Sequence, residues 1–196
     1  MASPAPARIS SLHPEDWIRA AQARLAGHGI ESVRVEVLAR DLGVSKGSFY
    51  WHFRDRSELL EKLLARWEDG ELKWLNTEAG AAAATRWASF IERTSKPERM
   101  RLEIAVRAWA RRDERVATRV VAIEQRKARL IADVLRDIGF TQAAADSGAE
   151  VVSLICLGWL DRATRDKQLQ LASTGLGELL SDFILAASAR SPAPDH

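Results

Sequence analysis

The stretch that decides the fold of this 196-residue chain is Ala39–Leu60, ARDLGVSKGSFYWHFRDRSELL. Leu38 and Leu42 recur at helical spacing, and Gly43 is the residue type that tolerates the left-handed end of a helix. Ser45 is a favourable N-cap for a second helix. The stretch therefore predicts a short helix, a tight corner and another short helix.

The second of these helices has two chemically different sides. Phe49 and Phe53 lie one turn apart, and we expect both to pack against the preceding helix. The opposite side presents hydrogen-bond donors: Lys46, Ser48, Tyr50, Trp51 and His52. A short helix that exposes cationic and hydroxyl donors after a glycine corner is typical of a helix-turn-helix that enters the DNA major groove.

These residues also resemble a known family. Gly43–Phe53, followed by Arg56 and Leu59-Leu60, is similar to the DNA-binding signature of the TetR family of transcriptional regulators. The similarity extends back to Ile18 and covers roughly residues 14 to 66. It implies a DNA-binding regulator, most often a repressor.

The resemblance and the helical periodicity together predict an all-α protein of about nine helices. No stretch shows period-two alternation bounded by turn residues. We expect an N-terminal, homeodomain-like, three-helix helix-turn-helix head at 1–56, with 1–11 as a disordered arm. A helical effector-binding and dimerisation domain is expected at 57–190, and a disordered tail at 191–196.

The resemblance implies specific DNA contacts. Tyr50 and His52 occupy positions that the family uses to anchor the DNA backbone, and Arg56 matches a family lysine that contacts phosphate. Lys46 and Ser48 each suit either a base edge or a phosphate. The predicted DNA-binding residues are Ser45, Lys46, Gly47, Ser48, Tyr50, Trp51, His52 and Arg56.

Several helix ends are also predicted. The family usually caps its second helix with Ser or Thr, but this chain has Arg34 and Val35 there, which leaves Ser32 as a cap one turn earlier. Asp55 and Glu58 have capping-box spacing. Further helices are expected to begin near the following positions: Pro14, the run Ala79–Ala84, Pro97, Asp113 and Gln142.

A dimer is expected, because one small head buries too little surface for specific DNA recognition. Two heads about one DNA turn apart would contact a palindromic operator. The two C-terminal helices are the candidates for the homodimer interface, and the alternative is that both pack inside one monomer. The predicted interface residues are Val152, Ile155, Trp159, Leu176, Leu180, Phe183 and Ile184.

The C-terminal body is rich in large aromatic side chains, which predict either an apolar core or a pocket for an unidentified small apolar or aromatic effector. The predicted pocket residues are Trp67, Trp87, Phe90, Met100, Trp109 and Trp159. The charged side of the helix after Asp113 is expected to be a solvated face. No charged pair in the apolar helices identifies a ligand head group.

Bulk properties favour a cytoplasmic protein. The net charge is +2, so any nucleic-acid site must be a local patch. A single cysteine, Cys156, excludes an internal disulfide. Residues 1–11 lack the apolar segment of a signal peptide, and the longest apolar run, Val151–Leu160, is too short to span a membrane.

Enzymatic activity, metals and cofactors are not predicted. The four histidines are scattered and lack the H-E-x-x-H spacing, and no nucleophile elbow or P-loop occurs. Gly175-Leu176-Gly177 lacks the third glycine of a dinucleotide fingerprint. Two alternatives remain open: a helical protein-interaction module, and a DNA-binding regulator without an effector.

Overall fold

A computed structural model describes residues 12–165, 177–182 and 184. Eight α-helices and one 3₁₀ turn (Ile30–Ser32) occupy residues 12–165, and residues 177–182 and 184 are helical as well. No strand occurs in these described residues, which confirms the all-α prediction. The α-helices are α1 Pro14–His28, α2 Val35–Asp41, α3 Lys46–Tyr50, α4 Arg56–Glu78, α5 Ala83–Ser95, α6 Pro97–Ala110, α7 Glu114–Asp137 and α8 Gln142–Ala163.

The chain divides into two compact units, Met1–Arg66 and Trp67–His196, so that α4 contributes residues to both. The functional boundary expected from the sequence, between residues 56 and 57, lies at the beginning of α4 and stays a prediction. The expected disordered segments at 1–11 and 191–196 lie outside the described residues.

The first unit is a small helical head with an aromatic centre. Trp17 of α1, Phe49 of α3 and Phe53 are at most 1% exposed, and Leu25 and Leu38 complete the core around them. Helices α2 and α3 have only seven and five residues, and helices of that length are not stable alone. The burial of these side chains against one another therefore supplies most of the stability of the head.

The second unit packs around α7, which contacts α5, α6 and α8. Its core joins side chains that are distant in the sequence, including Phe90 of α5, Ile131 of α7 and Val152 of α8. Leu180 and Ile184 belong to the same cluster. The apolar periodicity of each helix thus converges on one core.

Most predicted helix ends are confirmed. α1 and α6 begin at Pro14 and Pro97, and Asp113 caps α7 by accepting a hydrogen bond from the backbone N–H of Arg115. The alanine run Ala79–Ala84 does begin a helix, but only with its last two residues. Gly80 has a φ of +85°, and α5 begins only at Ala83, because a left-handed residue interrupts the α-helical hydrogen-bond pattern whatever the propensity of its neighbours.

Candidate nucleic-acid interface and ligand cavity

The corner between α2 and α3 has the geometry that its sequence predicts. Gly43 has a φ of +67°. Its N–H donates to the carbonyl of Arg40 at 3.2 Å, and the N–H of Val44 donates to the carbonyl of Ala39 at 2.9 Å. This pair of bonds is the Schellman motif, which satisfies the last carbonyls of α2 and turns the chain into α3.

One side of α3 fixes the helix to the head. The Phe49 ring contacts Trp17 edge-on at 5.3 Å and stacks on Phe53 at 5.2 Å between centroids. Phe49 and Phe53 are 0% and 1% exposed, which confirms that they belong to the core. Aromatic pairs in this geometry add to the free energy gained by burial alone. The short α3 is therefore held by its buried aromatic side.

The other side of α3 is open to solvent. Tyr50 is 62% exposed and Trp51 is 87% exposed, an unusually large accessible surface for two adjacent aromatic side chains. Ser45, Lys46 and Gly47 are exposed as well, while Ser48 and His52 are half-buried. The structure therefore brings the predicted residues of α3 together on one surface, which we call the α3 face.

Lys46 is already paired within the chain. Its Nζ lies 2.8 Å from Oε1 of Glu36 on α2, and both side chains are more than half exposed. The hydrogen bond from Lys46 is the main reason that the pKa of Glu36 is lowered. Contact between Lys46 and DNA would require this exposed ion pair to break.

Arg56 has a structural role that sequence analysis missed. Its guanidinium donates to the carbonyl of Val33 at 2.6 Å and to the carbonyl of Ile30 at 3.0 Å, and the side chain is partly buried. It thereby ties the first turn of α4 to the segment before α2. Its predicted contact with phosphate stays a prediction.

The two capping predictions have different outcomes. The Ser32 hydroxyl does not cap α2, because it donates to the carbonyls of Gly29 and Arg24, and the N-cap residue Arg34 makes no side-chain cap. Asp55 and Glu58 form one of the two bonds of the predicted capping box, and Glu58 accepts its other hydrogen bond from the residue before Asp55. The N–H of Glu58 donates to Oδ1 of Asp55, and Oε2 of Glu58 accepts from the N–H of Arg54.

A cavity of about 420 Å³ lies inside the second unit, between helices α4 to α8. Its volume falls within the range of small-molecule sites, about 300–1,000 Å³. Phe90, Met100 and Trp159 line it, as predicted, and Trp74 forms another part of its wall. The cavity is therefore large enough and apolar enough for an organic ligand.

Three predicted pocket residues do not line this cavity. Trp67 and Trp109 are each 6% exposed and belong to the core. Trp87 stacks on Phe90 with 5.6 Å between centroids and donates from its indole N–H to Ser181. The prediction was wrong for these residues because large aromatic side chains occur both in cores and in the walls of cavities. The residue type alone therefore does not distinguish a core residue from a pocket residue.

The cavity also contains a charged cluster that sequence analysis missed. Glu71 of α4 is the common partner of Arg93 at 2.8 Å, Lys127 at 3.0 Å and Arg99. Lys127 also lies 3.2 Å from Glu103. The expectation that the charged residues of α7 form only a solvated face is thus wrong for Lys127, whose side chain is 18% exposed.

The charges of this cluster stabilise one another. Burial alone would raise the pKa of Glu103, but Lys127 and Arg107 outweigh burial and lower the pKa from 4.5 to about 2. Burial likewise opposes ionisation of Lys127, yet Glu103 and Glu71 raise its pKa. Glu103 and Lys127 therefore stay ionised at neutral pH.

Cys156 lies beside the same cavity. Burial is the main cause that raises the pKa of its thiol, to about 11. Because the thiolate is the reactive form, this cysteine is a poor nucleophile at neutral pH.

The predicted interface on α8 needs correction. Val152, Leu180 and Ile184 are buried in the core of their own unit, and Trp159 lines the cavity. Ile155 is 36% exposed, whereas Leu176 and Phe183 lie outside the residues whose side chains the structure describes. On α8, Val151 and Leu154 are 41% and 60% exposed, and Leu179, within the helical residues 177–182, is 64% exposed. Helical periodicity alone does not reveal which side of an apolar helix meets its own core.

Helix α8 is also long and apolar enough to cross a membrane when judged by length and composition. Only 17% of the most apolar stretch of this helix is buried. One such helix is weak evidence for a membrane span, since apolar helices of soluble proteins pass the same test.

Both the N-terminal segment and a longer stretch of the chain are similar to known regulatory proteins. Residues 18–63 match the model of the bacterial regulatory proteins of the tetR family. The class A tetracycline repressor from transposon 1721 of Escherichia coli is 29% identical over 150 residues, which is 76% of this chain and 66% of that repressor. The chain thus matches slightly less than two thirds of the length of this curated relative.

Solved structures share the fold. A transcriptional regulator of Saccharomonospora viridis in complex with choline has a TM-score of 0.73, with 20% identity and coverage of 87% of this chain and 94% of its own. The SmeT–triclosan complex has a TM-score of 0.65, with 21% identity and coverage of 89% and 90%. At these identities the likeness concerns the fold alone. The matched segment and the repressor relative together identify residues 18–63 as a DNA-binding domain of the TetR family of bacterial regulatory proteins, and they support a TetR-family transcriptional regulator.

Proposed function

We propose that the protein is a DNA-binding transcriptional regulator, and specifically a repressor that binds a palindromic operator as a homodimer and is released by a small-molecule effector. The observation that carries the DNA-binding part is the α3 face, where hydrogen-bond donors and two exposed aromatic rings surround a glycine. TetR-family regulators are not enzymes, so the exclusion of catalysis drawn from sequence motifs is confirmed.

In this proposal the residues of the α3 face make different kinds of contact with DNA. Lys46 and Ser48 contact base edges or phosphates, and Gly47 lets the backbone approach the groove. Tyr50 and His52 donate hydrogen bonds to phosphates, while Trp51 lies against the sugar-phosphate backbone. Ser45 and Arg56 contact phosphates at the two ends of the motif. Phosphate contacts fix the register of the helix, and base contacts supply specificity.

The homodimer would form through the exposed apolar side of α8. Val151, Leu154 and Ile155 lie on that side, and Leu179 is a further exposed apolar side chain in the C-terminal segment. Gly158 is exposed on the same helix, where it permits close approach of another helix. A symmetric contact of this kind would present two α3 faces to the two halves of a palindrome.

The effector would occupy the cavity of the second unit. Its volume and its wall of Trp74, Phe90, Met100 and Trp159 suit an organic molecule. Similar proteins have been solved with choline and with triclosan, so this architecture accommodates chemically different small molecules in those proteins. The proposal also implies that the protein acts in the cytoplasm, where its DNA is.

The deciding experiment is selection of bound duplexes from a random DNA pool at two salt concentrations. We expect a palindromic consensus and an affinity that falls as salt rises, because phosphate contacts release counterions. Tyr50→Ala and Lys46→Ala should abolish binding to the selected operator while the dimer, measured by analytical ultracentrifugation, persists. Lys73→Ala, which removes an exposed cation from the second unit, is the matched control and should bind normally.

Two outcomes would contradict the proposal. Failure of the folded, dimeric protein to enrich any sequence would favour a helical protein-interaction module. Unchanged affinity in both Tyr50→Ala and Lys46→Ala would remove the assignment of the α3 face. A selected operator from which small molecules never release the protein would instead indicate a regulator without an effector.

A further inference from the structure

The charged cluster at the cavity has an unequal number of cations and carboxylates. Its members come from four helices, and all of them line the cavity. The cations are Arg93, Arg99, Arg107 and Lys127, and the carboxylates are Glu71, Glu103 and Glu124. Within the described part of the chain, four positive charges against three negative charges leave one positive charge in excess.

The excess is not removed by a change of protonation. Glu103 keeps its negative charge because Lys127 and Arg107 lower its pKa, and Lys127 keeps its positive charge because Glu103 and Glu71 raise its pKa. Arginine stays protonated at any physiological pH. A partly buried, unbalanced charge is costly, and a bound anion would reduce that cost.

Hydrogen bonding is unbalanced in the same direction. The Nε atoms of Arg93 and Arg107 and the indole nitrogen of Trp159 are buried and have no hydrogen-bond partner among the residues that the structure describes. All three are donors. The site therefore has too few acceptors, whereas a carboxylate brings several acceptor positions and no donor.

An aromatic wall adjoins the charged cluster. Trp74 and Phe90 stack with ring centroids 6.5 Å apart and planes 29° from parallel. The guanidinium of Arg93 lies 4.7 Å from the centre of the Trp74 ring, so a protein cation already occupies one face of this ring. Met100 and Ile131 extend the apolar lining. A flat apolar body fits beside this wall while its polar end meets the cations.

We propose that the ligand of this cavity is an organic anion with a flat apolar body and one carboxylate-type head, and that the head binds at the Arg99 side of the charged cluster. The inference rests on the proposed effector function, since it names the chemical class of that effector. Arg99 and Glu124 are the most exposed members of the cluster, each at 32%, and of these two only Arg99 is a donor.

Three further charged residues stand at the rim and must be counted. Arg129, Asp146 and Glu150 also line the cavity, and all three are exposed. The net charge of these three residues is −1, but charges in contact with water are screened far more strongly than buried ones. The head group would therefore be selected by the inner cluster. A ligand cation would instead add to the inner excess of positive charge.

The test compares ligands that share a ring and differ only in the head group. Benzoate and 2-naphthoate, their amides and the corresponding aryl-methylamines are titrated into the full-length protein without DNA by isothermal titration calorimetry. We expect at least one carboxylate to bind about tenfold or more tightly than its amide, because hydrogen bonds to charged groups are the stronger ones. The amines should not bind measurably.

Two variants change the charge excess in opposite directions. Arg99→Gln leaves three cations against three carboxylates and should abolish the preference for the carboxylate. Glu124→Gln raises the excess and should tighten carboxylate binding. Arg101→Gln, which removes an exposed cation from the same helix, is the matched control and should change nothing.

Several results would overturn the proposal. The proposal is wrong if no carboxylate binds, if an acid and its amide bind equally well, or if an amine binds more tightly than the acid. It is also wrong if Arg99→Gln keeps the preference for the carboxylate. Because these titrations contain no DNA, their failure is distinct from failure of the proposed repressor function. A carboxylate that binds without releasing DNA would leave the ligand class intact and contradict only the effector role.

Discussion

Glu36 in the first unit and Glu71 in the second both pair with a lysine, and the surroundings of the two pairs differ. Glu36 lies 2.8 Å from Lys46, with both side chains more than half exposed. Glu71 lies 3.0 Å from Lys127, with 3% and 18% exposure, and also pairs with Arg93 and Arg99. An exposed pair exchanges partners with little loss of free energy, whereas a buried cluster holds its helices in one arrangement.

This difference agrees with the functions proposed for the two regions. A lysine that must contact DNA has to leave its intramolecular partner readily, and water compensates for most of that loss. A carboxylate that joins cations from three helices determines the shape of a cavity. The same residue types therefore act as an exchangeable contact in the head and as a framework in the body.

The largest effect is expected from Glu71→Ala. Removing this carboxylate leaves three partly buried cations without their common partner, and we expect a loss of about 3–5 kcal/mol in the free energy of unfolding. Urea unfolding followed by near-ultraviolet circular dichroism measures it. Glu36→Ala is the matched control, and its midpoint should not change. Equal midpoints for the two variants would contradict the distinction between the two pairs.

A smaller effect is expected from acidification. The pKa of Glu103 is depressed in the folded protein to about 2 from 4.5, so its contribution is present above the unfolded pKa and is lost as the pH falls through the folded pKa. The shift corresponds to about 3 kcal/mol at neutral pH, of which about 2 kcal/mol is lost by pH 3. Glu103→Gln should therefore lose less stability than the original protein between pH 7 and pH 3.

The measurement is urea unfolding of both proteins across that pH range, so that the contribution of every other carboxylate cancels in the difference. A pH profile of Glu103→Gln that runs parallel to that of the original protein would show that the cluster does not hold Glu103 ionised. Glu92→Gln, which breaks an exposed pair with Lys96, serves as the comparison.

Gly47→Ala should affect DNA binding and leave the head folded. A Cβ at this position meets nothing nearer than the Ser45 hydroxyl, at 3.5 Å, which is an ordinary contact. Alanine also has a higher helix propensity than glycine. If the backbone at Gly47 approaches the groove, the added methyl should weaken operator binding about tenfold, roughly the effect of losing one good contact. Fluorescence anisotropy measures the affinity, and unchanged binding would exclude close approach at this position.

The smallest effect is expected from Glu36→Gln. This change frees Lys46 and removes a negative charge close to the expected path of the DNA backbone, so affinity should rise by about a few fold at low salt. The gain should shrink as the salt concentration increases, because exposed charges are screened. A decrease in affinity would show that Glu36 positions Lys46 for DNA.

The head was predictable because its determinants are local. The Gly43 corner, the buried pair Phe49 and Phe53, and the exposed donors between them all follow from neighbouring residues and the period of one helix. Ser32 and Arg56 depart from this pattern. Their hydrogen bonds go to backbone carbonyls of other segments, which the period of one helix does not predict. For Ser32 this made the predicted cap wrong, and for Arg56 it added a structural role beside the phosphate contact that the family resemblance implies.

For the second unit, the sequence predicted only the general arrangement. Helical periodicity predicted its helices and that aromatic side chains would be buried, but it did not separate Trp67 and Trp109 in the core from Trp159 at the cavity. It likewise placed Val152 at an interface, whereas the structure buries it. Such assignments depend on which helix lies opposite, and a single helix does not contain that information.

By itself the sequence determined the all-α fold, the helix-turn-helix and the residues that α3 presents to solvent, because short-range backbone geometry and helical period decide these features. Only the tertiary structure decided the cavity, its charged cluster and the exposed side of α8. Glu71, Arg99 and Lys127 lie on three different helices, and their charges are ordinary surface charges until packing removes water from around them. The strength of an ionic interaction depends on this exclusion of water, which is a property of the packed helices together.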